Sequence, residues 1–441
     1  MFYIVESEQQ LTYLERLCSK GAYLEVISSN DKYHPVLAST IATYIHPVDH
    51  PSGYIIPIDH SEGLNVSKAR VYDLLKQCQT LYVFDRKELL YHFNIQAAID
   101  ISLLYSMTYY ERLEKPDKSN LTNWMYNRHR EKSDLNRIIP LSKLHERSES
   151  NYQALSKYLT LEIPQGFDFY NKTATNVFFL LELSGVRVTY DAFIELFKPR
   201  EPRHSIHNNI VYTSYNLYNT TSRPTSAFNS VNFAAIPKTE LHRQCFIPQN
   251  DVFVEFDFDG YHLRLLAEQI GYELTEESAH KQLAKLYFEK DEITDEEYSE
   301  AKQINFHAIY GKIPEKYAFL EIFEKIQTYI DEMWKTYNKD GVVYNPISGK
   351  PFTKELKDMN PAKLMNYMMQ SLETARNITI LKEVLAYLRD KKTRIALYTY
   401  DAVLFDFSKE DGKETLEDLE KLLNPNKKYP VKFKYSQNLV L

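Results

Sequence analysis

Two stretches place an acid where a strand should stop, and they constrain everything else the chain can become. The first is Asp251 to Arg264, DVFVEFDFDGYHLR. Val252, Val254 and Phe256 alternate with Phe253 and Glu255, and β-branched and aromatic residues dominate, which predicts a strand. Asp257 and Asp259 fall at its end, and Leu263 to Ala267 opens a helix. A sheet fixes the position of an acid at a strand end, so such an acid can hold a metal. The alternative is that both aspartates cap the helix that follows. The second stretch is Ile395 to Phe407, IALYTYDAVLFDF. Apolar residues flank Tyr400-Asp401, which predicts two strands joined by a tight turn with Asp401 at its tip. Two strand-borne carboxylates that meet across a sheet can share a pair of divalent cations, the arrangement that performs in-line displacement at phosphorus. Their hard oxygens suit Mg²⁺.

With 441 residues there is room for two or three domains. A net charge of −7 does not point to a nucleic-acid binder, so any such surface must be a local basic patch. Cys18, Cys78 and Cys245 are odd in number and far apart, with no zinc pattern or disulfide framework, as expected in a reducing compartment. The start, MFYIVESEQQ, lacks a basic segment followed by an apolar core, and no apolar run is long enough to span a bilayer. The expectation is a cytoplasmic protein with no membrane partner.

Residues 1–150 read as a mixed α/β domain, with strand-like runs at Tyr23–Ile27, Ala38–Tyr44, Tyr54–Ile58 and Thr80–Phe84 and helical runs at Val71–Gln77 and Glu88–Leu104. Residues 114–157 are polar and read as connecting helices or a linker. A helix is expected over Thr173–Leu183, closed by Ser184-Gly185, with extended chain resuming at Val186–Tyr190. Residues 198–207 read as a loop, and the polar run 220–237 carries Arg223 as either a phosphate contact or an ordinary surface arginine.

In Tyr298–Lys312, YSEAKQINFHAIYGK, the spacing puts Lys302, Phe306 and Tyr310 on one helix face, with Gly311 closing the helix. Such a face suits a nucleotide, with the cation on phosphate and the rings on the base. Equally, the rings could be core and the lysine snorkel to water. Asn366 and Gln370 sit one turn apart on a further helix, able to read a minor groove or simply to be solvated.

The order of these motifs resembles the family A DNA polymerases, the group of bacterial DNA polymerase I and some phage replicases. The residues that carry the resemblance are Asp257-Phe-Asp-Gly-Tyr-His-Leu-Arg264, Ser278-Ala-His280, Ala301-Lys302 through Phe306 to Tyr310-Gly311, Asn366 with Gln370, and Tyr400-Asp401-Ala402. Upstream, Thr213-Ser214-Tyr215, Ser222-Arg223 and Arg243-Gln-Cys-Phe-Ile247 resemble the blocks that lead into the palm. More weakly, residues 1–150 resemble the family's 3′→5′ exonuclease domain, with Tyr82-Val-Phe-Asp85-Arg86 as its second motif.

The resemblance implies an α/β (α+β) right hand preceded by an RNase H-like exonuclease-type domain. Residues 151–441 would be the polymerase, with a reduced thumb over about 170–212, a palm over 213–275 and 340–441, and fingers over 276–339. The implied activity is template-directed addition of dNMPs to a primer 3′ end during DNA replication, in a compact phage-type enzyme. Asp257 and Asp401 would be catalytic and, with the Phe258 carbonyl, bind two Mg²⁺ ions, for which Mn²⁺ can substitute. Lys302, Phe306, Tyr310, His262 and His280 would bind the dNTP. Arg223, Arg243, Asn366, Gln370 and Tyr400 would contact primer-template DNA. The rival readings are a catalytically impaired nucleic-acid-binding relative and a single-subunit RNA polymerase.

The departures carry expectations of their own. Tyr298 stands where the family usually has an arginine, so Lys281 or Arg243 is expected to supply the missing charge. His262 replaces the acid that guards sugar identity, which implies dNTP preference with looser discrimination. The short thumb implies low processivity unless a replication partner or the N-terminal domain clasps the DNA. Of the exonuclease acids, only Glu25 and Asp85 are recognisable, which implies a vestigial, inactive nuclease.

Overall fold

The computed structural model describes residues 3–116, 134–199, 202, 205–212, 214–226, 231–237, 239–310 and 313–441. Thr213, Gly311, the middle of the 114–157 stretch and parts of the 198–207 and 220–237 loops lie outside the described residues. The chain forms two compact units. One comprises Met1–Phe179, Arg200–His207 and Phe228–Ser230, and the other Leu180–Pro199, Asn208–Ala227 and Val231–Leu441. The boundary expected near 150 therefore falls inside the first unit, within the helix Leu141–Leu155. That helix belongs there because Leu141 and Leu144 pack against Ile27, Ala42 and Ile55 of the first unit's sheet.

The first unit is built on a five-stranded sheet in the order Tyr54–Pro57, Thr40–Pro47, Ala22–Ser28, Leu81–Val83, Ala98–Asp100. The first two pairings are antiparallel and the last two parallel. The sequence expectation of one helix over 88–104 is corrected here. The chain instead forms the helices Arg86–His92 and Ile101–Tyr109 with the strand Ala98–Asp100 between them. Phe93 and Ile95 turn into the core and end the first helix. Asp100 starts the second, its carboxylate accepting from Leu103 N at 2.8 Å and from Arg86 N at 2.9 Å.

The second unit carries a four-stranded antiparallel sheet in the order Arg394–Thr399, Ala402–Phe407, Val252–Phe258, Val431–Ser436. Val252–Phe258 is central because both its neighbours offer apolar surface. Phe256, almost fully buried, meets the edge of Phe405 on one side and tilts toward Phe433 on the other. Thr399 pairs with Ala402, so Tyr400 and Asp401 form the expected two-residue turn. Tyr400 takes the left-handed conformation (φ 65°) that such a turn demands.

Leaving the central strand, the chain turns at Gly260 (φ 58°) into the helix Tyr261–Gln269. Glycine is required twice over at that point. A Cβ there would be strained by the backbone and would come within 3.0 Å of the Ala279 Cβ. Its absence lets the helix Ala279–Phe288 approach the end of the strand. The helix Asp295–Ile309 follows, started by a capping box between Thr294 and Glu297. The 27-residue helix Pro361–Tyr387, capped by Asn360, passes beneath with buried residues all around its circumference. Among the described residues no helix is long and apolar enough to cross a membrane.

Candidate active site

The pairing of the sheet decides where the two acids go. Asp257 is the second-to-last residue of the central strand and is paired with Ala402, while the next backbone amide, Phe258 N, donates to Asp401 O at 2.9 Å. Both carboxylates open on one cleft of about 490 Å³. Both also lie above the ordinary carboxylate pKa. For Asp257 the causes are loss of surrounding water and then the charge of Asp401, partly offset by Lys434 and Lys432. For Asp401 they are loss of water and then Glu373, partly offset by His262 and Arg223. Desolvated carboxylates whose pKa values are raised by neighbouring acids fit a divalent cation, which would supply the missing positive charge. Among the described residues no cluster of three or more His, Cys, Asp or Glu side chains forms a metal site. The donor set is therefore two carboxylates, which is what Mg²⁺ takes when substrate phosphates and water complete its shell.

Asp259 does not join them. Its Oδ1 accepts from Ala279 N at 3.2 Å and its Oδ2 pairs with Lys432 Nζ at 2.6 Å. Burial pushes its pKa up, but Lys432 and the amide hydrogen bond overcome this and hold it below the usual range. Capping is thus the role of Asp259, and the helix it caps is Ala279–Phe288 rather than the one next in sequence.

Lys302, Phe306 and Tyr310 all line the cleft, as their spacing predicts. Lys302 and Phe306 are exposed, and the Phe306 ring lies edge-on to Tyr310 at 5.1 Å. Tyr298 also lines the cleft, edge-on to His280 at 6.3 Å. His280 is held by Asn305 at 3.0 Å, and burial, with Lys302 and Lys432 nearby, lowers its pKa to about 4. It is therefore neutral at pH 7. The cation that shares this corner with Tyr298 is Lys432, from the edge strand Val431–Ser436. Arg243 lies elsewhere, donating to Leu439 O at 3.3 Å beside Glu255 in a separate small cavity. Lys281 does not line the cleft.

On the opposite wall, Arg223 stacks on the Tyr400 ring at 3.9 Å and pairs through Nε with Glu373 Oε2 at 3.0 Å. Glu373 Oε1 lies 3.1 Å from His262 Nε2, and His262 Nδ1 meets the Tyr310 hydroxyl at 3.1 Å. Gln370 Nε2 donates to Asn366 Oδ1 at 2.6 Å, and Thr221 Oγ1 donates to Gln370 Oε1 at 3.3 Å. The two amides thus brace the turn that presents Arg223.

Sequence reasoning missed Glu373 and Lys432. Lys432 was signalled by the alternation VKFKY beside a turn, the mark of an edge strand. Glu373 was signalled by a lone acid in the apolar run of a long helix, which demands a partner once buried. The first unit holds Glu25 and Asp85 beside a void of only about 20 Å³. Glu25 accepts from Asn151 Nδ2 at 3.1 Å, and Asp85 caps the helix Arg86–His92 by accepting from Glu88 N at 3.1 Å. Lys115 lines the same void, its Nζ 3.4 Å from Glu88 Oε2.

Residues 180–439 match the family model of DNA polymerase family A. Among solved structures, the fold is similar to the POL domain of Pol1 from M. smegmatis in complex with DNA primer-template and dNTP. The TM-score is 0.67 at 14% identity, over 99% of both chains. No curated protein matches the chain.

The crowding of Asp257 and Asp401 makes a stability prediction. An acid whose folded pKa is raised binds more protons folded than unfolded, so its contribution is favourable below the ordinary carboxylate range and is lost as pH rises through the raised value. In metal-free buffer, Asp257→Asn or Asp401→Asn should raise the thermal midpoint at pH 8, and the gain should shrink toward pH 4. A midpoint lowered at pH 8 would contradict this account of the site.

Proposed function

The chain belongs to DNA polymerase family A, and from that premise we propose that it is a template-directed DNA polymerase that adds dNMPs to a primer 3′ end and releases pyrophosphate. The observation that carries this reading is the placing of Asp257 and Asp401 side by side at a cleft whose other wall presents Lys302, Phe306 and Tyr310. Asp257, Asp401 and the Phe258 carbonyl are the groups that would hold two Mg²⁺ ions, which when bound sharpen the attacking 3′-hydroxyl and steady the leaving oxygen.

The chain's own residues orient the substrates. Lys302 meets the triphosphate, with Lys432 as the second cation of that corner. The rings of Phe306 and Tyr310 cover the base and the templating pair. His262 packs against the sugar and favours dNTPs. Neutral His280 donates or accepts a hydrogen bond at the phosphates without adding charge. Arg223 and Tyr400 form the primer side of the cleft, and Asn366 and Gln370 act through the turn they brace. In this reading the sheet of the second unit is the palm and the helices Ala279–Phe288, Asp295–Ile309 and Glu321–Asp340 are fingers. The segment 170–212 is a reduced thumb, which limits processivity when no partner clasps the DNA.

We further propose that the first unit is an exonuclease-type scaffold without nuclease activity. Nucleolytic cleavage needs a cluster of carboxylates free to hold metals. Here Asp85 is used as a helix cap, Glu25 is hydrogen-bonded to Asn151, and Lys115 shares the void with them.

Asp257→Asn and Asp401→Asn should each abolish extension of a primed template by dNTPs and Mg²⁺ while leaving primer-template binding nearly intact; full extension by either variant would end the assignment. Equal use of NTPs by the unaltered protein would move it to the RNA polymerase reading, and no extension at all to a binding role.

Lys302→Ala should raise the nucleotide KM or lower kcat by at least about tenfold, or about 1.4 kcal/mol. Steady-state single-nucleotide incorporation measures this, and unchanged kinetics would mean that the triphosphate binds elsewhere.

A mismatched or single-stranded 3′ end incubated with Mg²⁺ or Mn²⁺ and no nucleotides should keep its length. Shortening that vanishes in Asp85→Ala would reveal a working nuclease in the first unit.

A further inference from the structure

The buried carboxylate of Glu373 has no place in the reading above, yet it touches two side chains that line the cleft, Arg223 and His262. It sits on the helix Pro361–Tyr387 with 1% of its surface exposed. A carboxylate this deep is strongly destabilising without partners, so what it touches defines its use. Its two oxygens go to different groups, Oε1 to His262 Nε2 at 3.1 Å and Oε2 to Arg223 Nε at 3.0 Å. Both contacts are at ion-pair distance, and among the described residues neither nitrogen, nor Glu373 Oε2, has a hydrogen-bond partner, so charge and proximity rather than an aligned hydrogen bond carry them.

The contacts assign hydrogens. A carboxylate only accepts, so His262 carries its hydrogen on Nε2 toward Glu373. Nδ1 is then free to accept the Tyr310 hydroxyl hydrogen at 3.1 Å. Burial and the charge of Glu373 raise the Tyr310 pKa, so the phenol keeps that hydrogen to give. The imidazole is hydrogen-bonded at Nδ1 and faces a carboxylate oxygen at ion-pair distance at Nε2, and its plane stands at 89° to the Tyr310 ring. Terminal ring torsions such as the histidine χ2 have broad wells, and one anchored nitrogen would leave this ring able to swing. Two anchors make it a fixed wall. Through its other oxygen the same carboxylate steadies Arg223, which lies on Tyr400, the neighbour of Asp401 in the turn.

We propose that Glu373 is a positioning residue for sugar discrimination, holding the His262–Tyr310 pair rigid so that it excludes a 2′-hydroxyl from the incoming nucleotide. This rests on the polymerase reading and deepens it. A wall that can swing admits the extra oxygen, whereas a wall fixed at two points cannot yield without breaking a buried contact. Glu373 touches no substrate in this account and acts only through His262 and Arg223.

The test is single-nucleotide incorporation on a primed template, with kcat and KM measured separately for a dNTP and its matching NTP. The unaltered protein must incorporate the dNTP, and its failure to do so would sink the polymerase reading itself rather than this proposal. Glu373→Gln keeps the shape but replaces one accepting oxygen by a donor, which cannot receive both nitrogens. Discrimination, the ratio of kcat/KM for dNTP over NTP, should fall by about tenfold, mostly through better NTP use, because a small misplacement of a positioning group has effects of this order. Discrimination unchanged in Glu373→Gln would overturn the proposal. If Glu373→Gln does not fold, Glu373→Met, which fills the space with no accepting oxygen, decides: discrimination lowered in that folded variant upholds the proposal, and discrimination unchanged there overturns it.

Discussion

One backbone hydrogen bond, from Phe258 N to Asp401 O, is the constraint on which the site depends. It closes the ladder between the central strand and the hairpin, and in doing so fixes two carboxylates that the chain supplies from distant stretches. Antiparallel register has a period of two, so a slip of one residue would carry one aspartate to the other face of the sheet. The aromatic packing of Phe256 with Phe405 and Phe433 guards against that slip. The chemistry of the cleft is thus protected by apolar side chains that never face it. The price is local repulsion between the two acids, which the sheet is strong enough to contain.

Around that fixed point the second unit uses polar side chains as braces. Asn377 bonds Tyr261, Tyr398 and the Tyr400 carbonyl, so one amide ties the helix Tyr261–Gln269 to the strand that enters the hairpin turn and to the turn's first residue. Arg264 donates to the carbonyls of Asp259, Thr275 and Glu277, fixing the loop before the helix Ala279–Phe288. Such fully used groups specify one arrangement of the backbone where apolar packing would tolerate several. They explain how exposed residues such as Lys302 and Phe306 can stand on a framework that is itself rigid.

What was legible in the sequence was local. The strand before Asp257, the turn at Asp401 and the shared face of Lys302, Phe306 and Tyr310 each follow from a period or a turn rule that a short stretch obeys by itself. The long-range partners were not legible. Nothing near Glu373 in sequence says that His262 and Arg223 will reach it, and nothing near Asp259 says that it caps a helix one element further on. The expected helix over 88–104 failed for the same reason. Ala98–Asp100 is a strand because Leu81–Val83 lies beside it in parallel, an influence from outside the segment. Arg243 and Lys281 were guessed by charge alone, whereas Lys432 reaches the corner because an edge strand carries it there.

Lys115 in the first unit has a consequence for which single changes that unit can absorb. Burial works against its charge, but Glu88, Glu25 and Asp31 outweigh burial and keep its pKa above the ordinary value, while Arg147 pairs with Asp31 at 3.1 Å. The acids and the bases have come to depend on each other. Losing the lysine alone would leave several carboxylates facing one another with less to balance them, and losing an acid alone would strand the ammonium. The acids therefore serve as counterions for a lysine, and that balance of charge is reason enough for them to stand where they do.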